Sequence, residues 1–267
     1  MSTIVITGGS GLVGSLVRPL LSRPGRTVRV LDLVPPQEEL PGEQIFVGSF
    51  TDPAILAAAL PGADLVVHLG GHSKEKPWDD IVSTNIAGTH TLLDAAHTVG
   101  IRRVLLASSI HAVGFTRSDQ SALTPTPAAR PDSFYGVGKI AVEALGSVYA
   151  DRYGMMIISA RIGTADLAVK DPRMLATWLA PSDAARLFEA ALQWGEPGHH
   201  IIWGVSNNRP GWFDLRPGRD IGYEPVEDAW VHAPNSIRLG FDKLMSQPQL
   251  LGGVLATPAY PLGAPWV

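Results

Sequence analysis

Cysteine is absent from the 267 residues, and this absence excludes both disulfide bonds and thiolate chemistry. Long apolar runs are absent as well, since no uncharged stretch approaches the roughly 18 residues that a membrane-spanning helix needs. The first residues, MSTIVITGG, contain neither the basic nor the apolar region of a secretory signal. The formal net charge of -4 gives no electrostatic reason to expect nucleic acid or anionic lipid as a partner. We therefore expect a soluble, cytoplasmic protein.

Hydrophobic residues, at 45%, and charged residues, at 17%, occur in the proportions of an ordinary globular protein. Short β-branched runs alternate with longer helical patterns, which favours a parallel sheet covered by helices on both faces. Strands are predicted at Thr3–Thr7, Thr27–Leu31, Gln44–Val47, Leu65–Leu69, Arg103–Ser108, Met156–Arg161 and His200–Trp203. Helices are predicted at Leu12–Ser22, Pro53–Leu60, Asp79–His97, Phe134–Arg152 and Ser182–Trp194. The predicted fold class is α/β, with a doubly wound parallel sheet.

This alternation weakens after about Asp166, where Pro, Gly and Trp accumulate in stretches such as NNRPGWFDLRPGRDIGYEP. Such a region is typical of a small irregular lobe that carries substrate contacts. We therefore divide the chain into a cofactor-binding core, residues 1–165, and a C-terminal substrate lobe, residues 166–267. The lobe returns one strand and one helix to the core, so the two parts are expected to form one compact unit.

A glycine-rich turn, TGGSGLVG, joins the first predicted strand to the first predicted helix. Gly8, Gly11 and Gly14 are spaced so that the main chain can turn tightly and approach a pyrophosphate, which the helix N-terminus stabilises. Asp32 ends the next strand, where its carboxylate would bond both hydroxyls of an adenosine ribose and repel a 2′-phosphate. The pattern indicates a Rossmann-type site and favours NAD over NADP.

Tyr135 precedes Lys139 by four residues in SFYGVGKIAVE, so a phenol and an ammonium share one face of a predicted helix. A tyrosine with an ordinary pKa of about 10 is protonated at neutral pH, and a useful base requires that pKa to fall by about three units. A unit charge about 4 Å away, at an effective dielectric near 20, supplies energy of that order. The spacing therefore favours a tyrosine base assisted by a lysine.

The fifth predicted strand ends at Ser108, so Ser108, Ser109 and His111 would emerge at the carboxyl edge of the sheet, where open α/β folds bind ligands. Glycine turn, acid, strand-end Ser and Tyr-x-x-x-Lys, in this order, resemble the extended, sugar-modifying branch of the short-chain dehydrogenase/reductase superfamily over residues 3–205. The resemblance implies that Tyr135 is the acid/base and that Lys139 binds the nicotinamide ribose and lowers the pKa of Tyr135. It also implies that Ser109 hydrogen-bonds the reacting oxygen.

The same resemblance implies further cofactor contacts. Asp52, in GSFTD, matches the family position beside the adenine, and Asn85, in NIAGTH, matches the Asn that opens the N-x-x-G-T helix beneath the nicotinamide. A helix-packing role for Asn85 also stays open. The cofactor-binding residues expected on this basis are Gly8, Gly11, Leu12, Gly14, Asp32, Asp52, Leu69, Asn85, Tyr135 and Lys139. No metal site is expected.

Longer phrases narrow the resemblance to the uronate dehydrogenases. These phrases are HLGGHSKEKPW, ASSIHAVGF, RPDSFYGVGK, RIGT, RMLATW and WGVSNNRPGWFD. Members of that family oxidise the anomeric carbon of D-glucuronate and D-galacturonate to the aldarolactone with NAD. The resemblance implies a sugar pocket that consists of Ser73, Ser109, His111, Tyr135, Thr164 and Arg173. Two positions depart from the family pattern, since Thr164 stands where Ser is expected and Ile110 stands where Asn is expected.

Several of these residues have an alternative interpretation by residue type alone. His111 suits a buried structural role as well as a substrate contact, and Arg173 suits a surface ion pair with Asp171, which would contribute less than about 1 kcal/mol. The tryptophans at 194, 203 and 212 favour core or interface packing over stacking on a sugar.

Two other functions stay open. A nucleotide-sugar epimerase or dehydratase uses the same Ser, Tyr and Lys, but it needs a larger C-terminal lobe, and a dehydratase needs an acid beside the Ser, where this chain has Ile110 and His111. A non-catalytic NAD-sensing regulator of this fold would be expected to lose the tyrosine, which is present here. The apolar tail GGVLATPAYPLGAPWV suggests a subunit contact in a homo-oligomer.

Overall fold

The computed structural model describes residues 1–120, 126–244 and 246–264. Within these residues, seven strands form one fully parallel sheet, and a pair of two-residue strands lies outside it. The strands are Ser2–Thr7 (β1), Arg26–Asp32 (β2), Glu43–Val47 (β3), Leu65–His68 (β4), Arg103–Ser109 (β5), Met156–Ile162 (β6), Thr164–Ala165 (β7), Trp178–Leu179 (β8) and Gly198–Gly204 (β9).

The order of strands in the sheet is β3-β2-β1-β4-β5-β6-β9. The chain first moves outward from β1 to β3, then crosses to β4 and continues to the opposite edge, so the order reverses between β1 and β4. Ligands of doubly wound sheets bind at this point of reversal, beyond the carboxyl ends of the strands. The predicted fold class, a Rossmann-type doubly wound parallel sheet, is confirmed, and each predicted strand is present with ends that shift by one or two residues.

Helices cover both faces of the sheet and extend into the C-terminal lobe. They are Leu12–Leu21 (α1), Pro53–Ala59 (α2), Trp78–Asp80 (α3), Gly88–Thr98 (α4), Phe134–Tyr153 (α5), Met174–Thr177 (α6), Pro181–Gln193 (α7), Arg216–Asp220 (α8), Ala229–His232 (α9) and Asn235–Leu244 (α10). Among the described residues, no helix combines the length and the hydropathy that crossing a bilayer requires.

The predicted helix Asp79–His97 is not one continuous α-helix. Its central part, Ile81–Ala87, is a π-helix between α3 and α4. In this region the hydroxyls of Ser83 and Thr89 donate to the carbonyls four residues earlier, at 2.7 and 2.6 Å. Side-chain donors of this kind compete with main-chain N–H groups for the same carbonyls. Apolar spacing does not reveal this competition, so the predicted helix is present over its whole length but its π-helical part was not foreseen.

Side chains of the central strands alternate between two apolar layers, as the geometry of a strand requires. Ile4 and Ile6 of β1 pack on one face with side chains of α1 and α7. Val5, between them, packs on the other face with α2, α4 and α5. Burial of both faces explains why the strands are continuous apolar runs instead of alternating patterns.

The C-terminal lobe has an apolar cluster of its own. Trp203 and Trp212 are 1% and 3% exposed and pack there with Phe213, so both fill the core as expected from their residue type. Trp194 packs instead against the layer under α1 and α7. The lobe contains the short helices α8, α9 and α10, where the sequence predicted irregular structure. The division of the chain after residue 165 stays a prediction.

The chain returns near its C-terminus to the loop that follows β5. Residues 249–252 run antiparallel to residues 114–118, with hydrogen bonds from Leu251 N to Thr116 O and from Gly252 N to Gly114 O, both 2.9 Å. We call residues 249–264 the C-terminal strap. The predicted subunit contact of residues 252–267 stays a prediction, and residues 265–267 lie outside the described part of the chain.

Candidate active site

A cavity of about 720 Å³ opens beside the point where the strand order reverses. The glycine turn, the end of β2, the loops after β3 and β4, the end of β5 and the first turns of α5 form its walls. The predicted site residues that line it are Gly8, Gly11, Leu12, Asp32, Leu69, Ser73, Ser109, His111, Tyr135, Lys139 and Thr164. Gly14, Asp52, Asn85 and Arg173 do not line it. The fold therefore brings the glycine turn and the Tyr135–Lys139 pair, which are far apart in sequence, together around one cavity.

The glycine turn has the geometry that a close main-chain approach requires. Gly8 has a φ of 69°, in the left-handed region, and a Cβ there would lie 2.8 Å from Gly70 N. A Cβ on Gly14 would lie 2.4 Å from Gly9 O, so this glycine lets α1 pack against the turn and does not face the cavity. The turn thus leaves the N-terminus of α1 open toward the cavity, an arrangement that stabilises an anion such as a pyrophosphate.

Asp32 lies at the end of β2, on the cavity wall. Its Oδ2 accepts a hydrogen bond from Ser10 N at 2.9 Å, and its Oδ1 accepts one from Leu33 N at 2.7 Å. Each carboxylate oxygen has about two acceptor positions, so each keeps one for a further donor. The carboxylate is therefore fixed by the main chain and keeps acceptor positions free on the cavity wall.

Two predicted cofactor contacts have other partners in the structure. Asp52 is exposed and caps α2, since its Oδ1 accepts from Ala54 N at 2.8 Å. Ser49, Phe50 and Thr51 represent this loop on the cavity wall instead. Helix capping accounts for the carboxylate of Asp52 without a ligand, and its contact with adenine stays a prediction.

Asn85 is buried and uses both ends of its amide on the main chain of His72. Its Oδ1 accepts from His72 N at 2.8 Å, and its Nδ2 donates to His72 O at 2.9 Å. The side chain therefore holds the loop after β4 against the π-helix, which agrees with the packing interpretation of this residue. It acts on the site through the loop that carries Ser73.

A buried chain of hydrogen bonds fixes the start of the same loop. His68 Nδ1 lies 2.7 Å from Thr7 Oγ1, and His68 Nε2 lies 3.0 Å from Thr89 Oγ1, which donates to Asn85 O. Gly70 N donates to Thr7 Oγ1 at 3.2 Å. Burial lowers the pKa of His68 to about 3, so the ring is neutral at pH 7 and serves as a rigid connector.

Ser109, Tyr135 and Lys139 meet at the carboxyl end of β5. Ser109 hydrogen-bonds Tyr135 through its side chain, and Lys139 Nζ lies 5.4 Å from the centre of the Tyr135 ring. Lys139 Nζ also donates to Ala107 O at 2.6 Å. A Cβ on Gly136 would lie 2.4 Å from His111 O, so only glycine lets the first turn of α5 approach this edge of the sheet. The three side chains that the sequence singled out thus share one wall.

The pKa of Tyr135 differs from the sequence expectation. Burial raises it to about 12, and the hydrogen bond with Ser109 offsets only part of that rise. Burial also lowers the pKa of Lys139 to about 8, against the opposing charge of Glu143. The structure therefore does not show the predicted lowering of the Tyr135 pKa by Lys139.

Beneath Lys139 lies a buried ion pair that the sequence analysis missed. Glu143, one turn further along α5, accepts from Arg161 Nε and Nη2 at 2.8 Å each, and from Ser108 Oγ at 2.5 Å. The hydroxyl of Ser108 is therefore used by the ion pair, whereas that of Ser109 hydrogen-bonds Tyr135. The spacing of Glu143, four residues after Lys139 on the same helix face, is the signal that could have indicated it.

Glu75 is a second residue that the sequence analysis missed. Its side chain is fully buried and accepts from the main-chain N–H groups of Phe134 at 3.1 Å, Tyr135 at 2.8 Å and Gly263 at 2.9 Å. The N–H groups of Phe134 and Tyr135 lie in the first turn of α5 and have no partner within the helix. A carboxylate is favoured at such a helix start. Glu75 thus connects the loop after β4, the N-terminus of α5 and the C-terminal strap.

His111 and Asp132 form the part of the site that lies furthest from the glycine turn. His111 Nδ1 lies 2.8 Å from Asp132 Oδ2, and the His111 ring is edge-on to Tyr135 with centres 5.7 Å apart. Ser73 and Thr164 line the same cavity, and Thr164 Oγ1 lies 3.0 Å from Thr177 Oγ1. Asp132 was not predicted as a site residue. The signal that could have indicated it is its position in RPDSFYG, directly before Ser133, which caps α5.

Arg173 lies behind this wall, just before α6. Its Nη2 donates to Leu251 O of the strap, and its Nε is buried without a hydrogen-bond partner among the described residues. Burial lowers the pKa of Arg173, and the charges of Asp171 and Asp132 oppose that effect. The interpretation of Arg173 as an exposed surface ion pair is therefore wrong, because the guanidinium is desolvated beside the site.

Comparison with known proteins agrees with this geometry. The model of the NAD dependent epimerase/dehydratase family matches residues 4–181. A uronate dehydrogenase from Pseudomonas putida is 34% identical over 227 residues, which cover 85% of this chain and 84% of that protein. An NAD-dependent glucose-6-phosphate dehydrogenase from Haloferax volcanii is 31% identical over 251 residues, with 85% and 94% covered.

A solved structure shows the same likeness over almost the whole chain. It is a tyrosine-to-alanine mutant of the uronate dehydrogenase from Agrobacterium tumefaciens, complexed with NAD. The two chains superpose with a TM-score of 0.85 at 30% sequence identity, and the match covers 97% of this chain and 99% of that one.

Proposed function

The chain belongs to the NAD dependent epimerase/dehydratase family, and we propose that it acts there as a uronate dehydrogenase. The reaction is oxidation of D-glucuronate and D-galacturonate at C1 to the aldaric acid 1,5-lactone, with NAD as the oxidant. One observation carries the proposal, namely that Ser109, Tyr135 and Lys139 share a single cavity with the glycine turn and Asp32. The cavity thus combines a proton acceptor with a dinucleotide site, as the oxidation of an alcohol requires.

The residues present fit NAD. Gly8, with its positive φ and the close approach of Gly70, supports a pyrophosphate at the start of α1. Asp32 offers a fixed carboxylate to the adenosine ribose and disfavours a 2′-phosphate by charge repulsion. When bound, NAD supplies a hydride acceptor and a positive charge on its nicotinamide ring.

The protein supplies the proton chemistry. Ser109 and Tyr135 receive the anomeric hydroxyl of the pyranose, and the phenolate of Tyr135 takes the hydroxyl proton. The hydrogen on C1 departs as hydride to the nicotinamide, and C1 becomes the carbonyl carbon of the lactone. Because the pKa of Tyr135 is raised to about 12 in the protein alone, the ammonium of Lys139 acts together with the cofactor's positive charge to make the phenolate accessible.

The substrate's carboxylate is assigned to Arg173. A guanidinium N–H that is buried without an acceptor is unfavourable, and a substrate carboxylate would satisfy it with a charge-assisted bond. Ser73, His111 and Thr164 line the cavity on this side and are assigned to the sugar hydroxyls. Ile110, where an Asn was expected, is buried in the apolar cluster of the lobe and has no polar role.

The two other functions are less well supported. A nucleotide-sugar epimerase or dehydratase needs a lobe that grips the nucleotide, and relatives named UDP-glucose 4-epimerase match only about half of their own length here. A non-catalytic NAD sensor has no need for a buried Tyr135 hydrogen-bonded to Ser109. The expectations of a homo-oligomer and of a cytoplasmic location stay predictions.

The test is a substrate panel with NAD and the purified protein, read as NADH absorbance. D-Glucuronate, D-galacturonate, D-glucose, glucose 6-phosphate and UDP-glucose are compared, and NMR of the early product distinguishes a lactone from the open acid. We expect turnover of the two uronates and at least a 100-fold loss in Tyr135→Phe, since general-base catalysis contributes about 10²-fold or more. Turnover of glucose 6-phosphate or UDP-glucose in preference to both uronates would overturn the proposal.

A further inference from the structure

Asp132 is a buried carboxylate with no role in the chemistry described above. Its side chain is 0% exposed and lies behind the cavity wall, in contact with His111, which lines the cavity. Its Oδ2 is 2.8 Å from His111 Nδ1, and its Oδ1 accepts from Ser133 Oγ at 2.8 Å. A buried carboxylate is costly unless each oxygen has a donor, so both of these contacts are needed to keep the charge in this position.

The main chain leaves a space for this carboxylate by means of two glycines. A Cβ on Gly114 would lie 1.8 Å from Asp132 Oδ2, and a Cβ on Gly252 would lie 1.6 Å from the same atom. The two glycines belong to segments joined by the hydrogen bond from Gly252 N to Gly114 O. The loop after β5 and the strap therefore form a pocket that only the Asp132 carboxylate occupies, and its orientation toward His111 is fixed.

We propose that Asp132 is a positioning residue of the substrate site, which acts by fixing the proton of His111 on Nδ1. The inference rests on the proposed function for the identity of the substrate. An ionised carboxylate can only accept hydrogen bonds, so the proton between the two groups belongs to His111 Nδ1. In the neutral ring, Nε2 is then an acceptor, which suits a sugar hydroxyl in the cavity that His111 lines.

Asp132 and Arg173 meet adjacent residues of the strap, since Arg173 Nη2 donates to Leu251 O and the Asp132 carboxylate fits against Gly252. Burial lowers the pKa of Arg173, and the negative charge of Asp132 opposes that effect. Ser133, which donates to Asp132, also caps α5 by accepting from Gly136 N at 2.9 Å. Asp132 is therefore connected to His111, to Arg173 and to the helix that carries Tyr135, and removal of its charge is expected to change substrate binding more than cofactor binding.

One kinetic variant and a matched control test this role first. Asp132→Asn keeps the shape but removes the charge and allows the amide to donate to His111 Nδ1, which moves the ring proton to Nε2. We expect a 10- to 100-fold loss of kcat/KM for glucuronate with an unchanged Kd for NAD. Asp183→Asn is the control, because Asp183 is equally buried but accepts from Val226 N and Glu227 N, remote from the cavity. It should lower the thermal midpoint without a change in KM.

A double-mutant comparison separates positioning from general support of the fold. If Asp132 acts through His111, adding Asp132→Asn to His111→Gln should change kcat/KM by less than about threefold, because the route is already removed. The same 10- to 100-fold loss in the presence and absence of His111 would overturn the proposal.

The tautomer of His111 can be measured directly, without an activity assay. In protein labelled with ¹⁵N at histidine, the His111 signals, assigned by their loss in His111→Gln, should show the proton on Nδ1. A proton on Nε2 in the wild-type protein would overturn the proposal even if Asp132→Asn failed to fold. Absence of uronate turnover by the wild type would count against the proposed function alone. The proposal for Asp132 is tested separately, by the position of the proton on His111.

Discussion

The carboxylate of Glu75 accepts a hydrogen bond from the main-chain N–H of Tyr135, at 2.8 Å, and thereby fixes the start of the helix that carries the proposed base. Glu75→Gln offers one acceptor oxygen where the carboxylate offers two, so at least one of its three N–H donors is left unpaired. We expect a fall of about 1 to 3 kcal/mol in the free energy of unfolding and a lower kcat with an unchanged Kd for NAD. Urea denaturation and steady-state kinetics measure both effects.

The control for Glu75 is Asp228→Asn. Asp228 caps α9 through Trp230 N at 3.0 Å and lies away from the cavity. Its replacement should lower stability slightly and leave kcat unchanged. Equal losses of kcat in Asp228→Asn and Glu75→Gln would show that Glu75 contributes only to stability.

Asp32→Ala should weaken NAD binding and improve NADP relative to it. The carboxylate is held by Ser10 N and Leu33 N on the cavity wall, so its removal eliminates both the ribose acceptor and the charge that repels a 2′-phosphate. We expect the NAD/NADP ratio of kcat/KM to fall at least tenfold, equivalent to about 1.4 kcal/mol. Glu39→Ala, which removes an exposed charge from the loop between β2 and β3, should leave the ratio within twofold. An unchanged ratio in Asp32→Ala would show that Asp32 does not contact the ribose.

Arg173→Met should lose most activity on glucuronate and galacturonate and little on D-glucose, which has no carboxylate. Loss of one partner of a buried, hydrogen-bonded charge pair costs about 2 to 5 kcal/mol, or roughly 30-fold to several thousand-fold. Arg173→Lys should recover only part of the loss, because an ammonium keeps the charge without the planar pair of donors. The measurement is kcat/KM for each sugar. Since Arg173 also donates to Leu251 O, equal losses on all sugars would mean that it supports the strap instead of binding the carboxylate.

Lys139→Met should stabilise the protein while removing its activity. Burial lowers the pKa of Lys139 from 10.5 to about 8, so the folded state carries a destabilising charge at every pH below about 8. At 1.36 kcal/mol per unit, the variant should gain up to roughly 3 kcal/mol in the free energy of unfolding at pH 7.

The pH dependence of that difference follows from the sign of the shift. Between pH 8 and 10.5 the unfolded chain binds more protons at Lys139 than the folded chain does, so wild-type stability rises with pH relative to the variant. Urea denaturation should therefore show that the free energies of unfolding of Lys139→Met and the wild type differ less at pH 10 than at pH 7. Lys243→Met, at an exposed lysine, should show no gap at either pH. A gap that widens with pH would contradict the assigned cause.

The strands and main helices were predictable because their apolar runs and glycine turns are local signals. The π-helix at Ile81–Ala87 was not, since it depends on hydroxyl donors that compete for carbonyls in three dimensions. The Ser109, Tyr135 and Lys139 group was identified by spacing and by resemblance. Glu75 and Asp132 were missed because their partners, Gly263 and Gly252 among them, are distant in sequence. The role of such a carboxylate can be recognised only once the fold shows which groups surround it.

Because the strap lies at the end of the chain, it also determines at what stage of synthesis the protein can become active. Translation adds about 5 to 20 residues per second, and the N-terminal parts of a protein generally fold first. The strands and α5 emerge from the ribosome before Gly252 and Gly263, which complete the surroundings of Asp132 and Glu75. A nascent chain therefore has its sheet and glycine turn before it has a closed substrate site. A protease that removed only the strap from the finished protein would take away the partners of Asp132 and Glu75, and also Leu251 from the apolar cluster of the lobe.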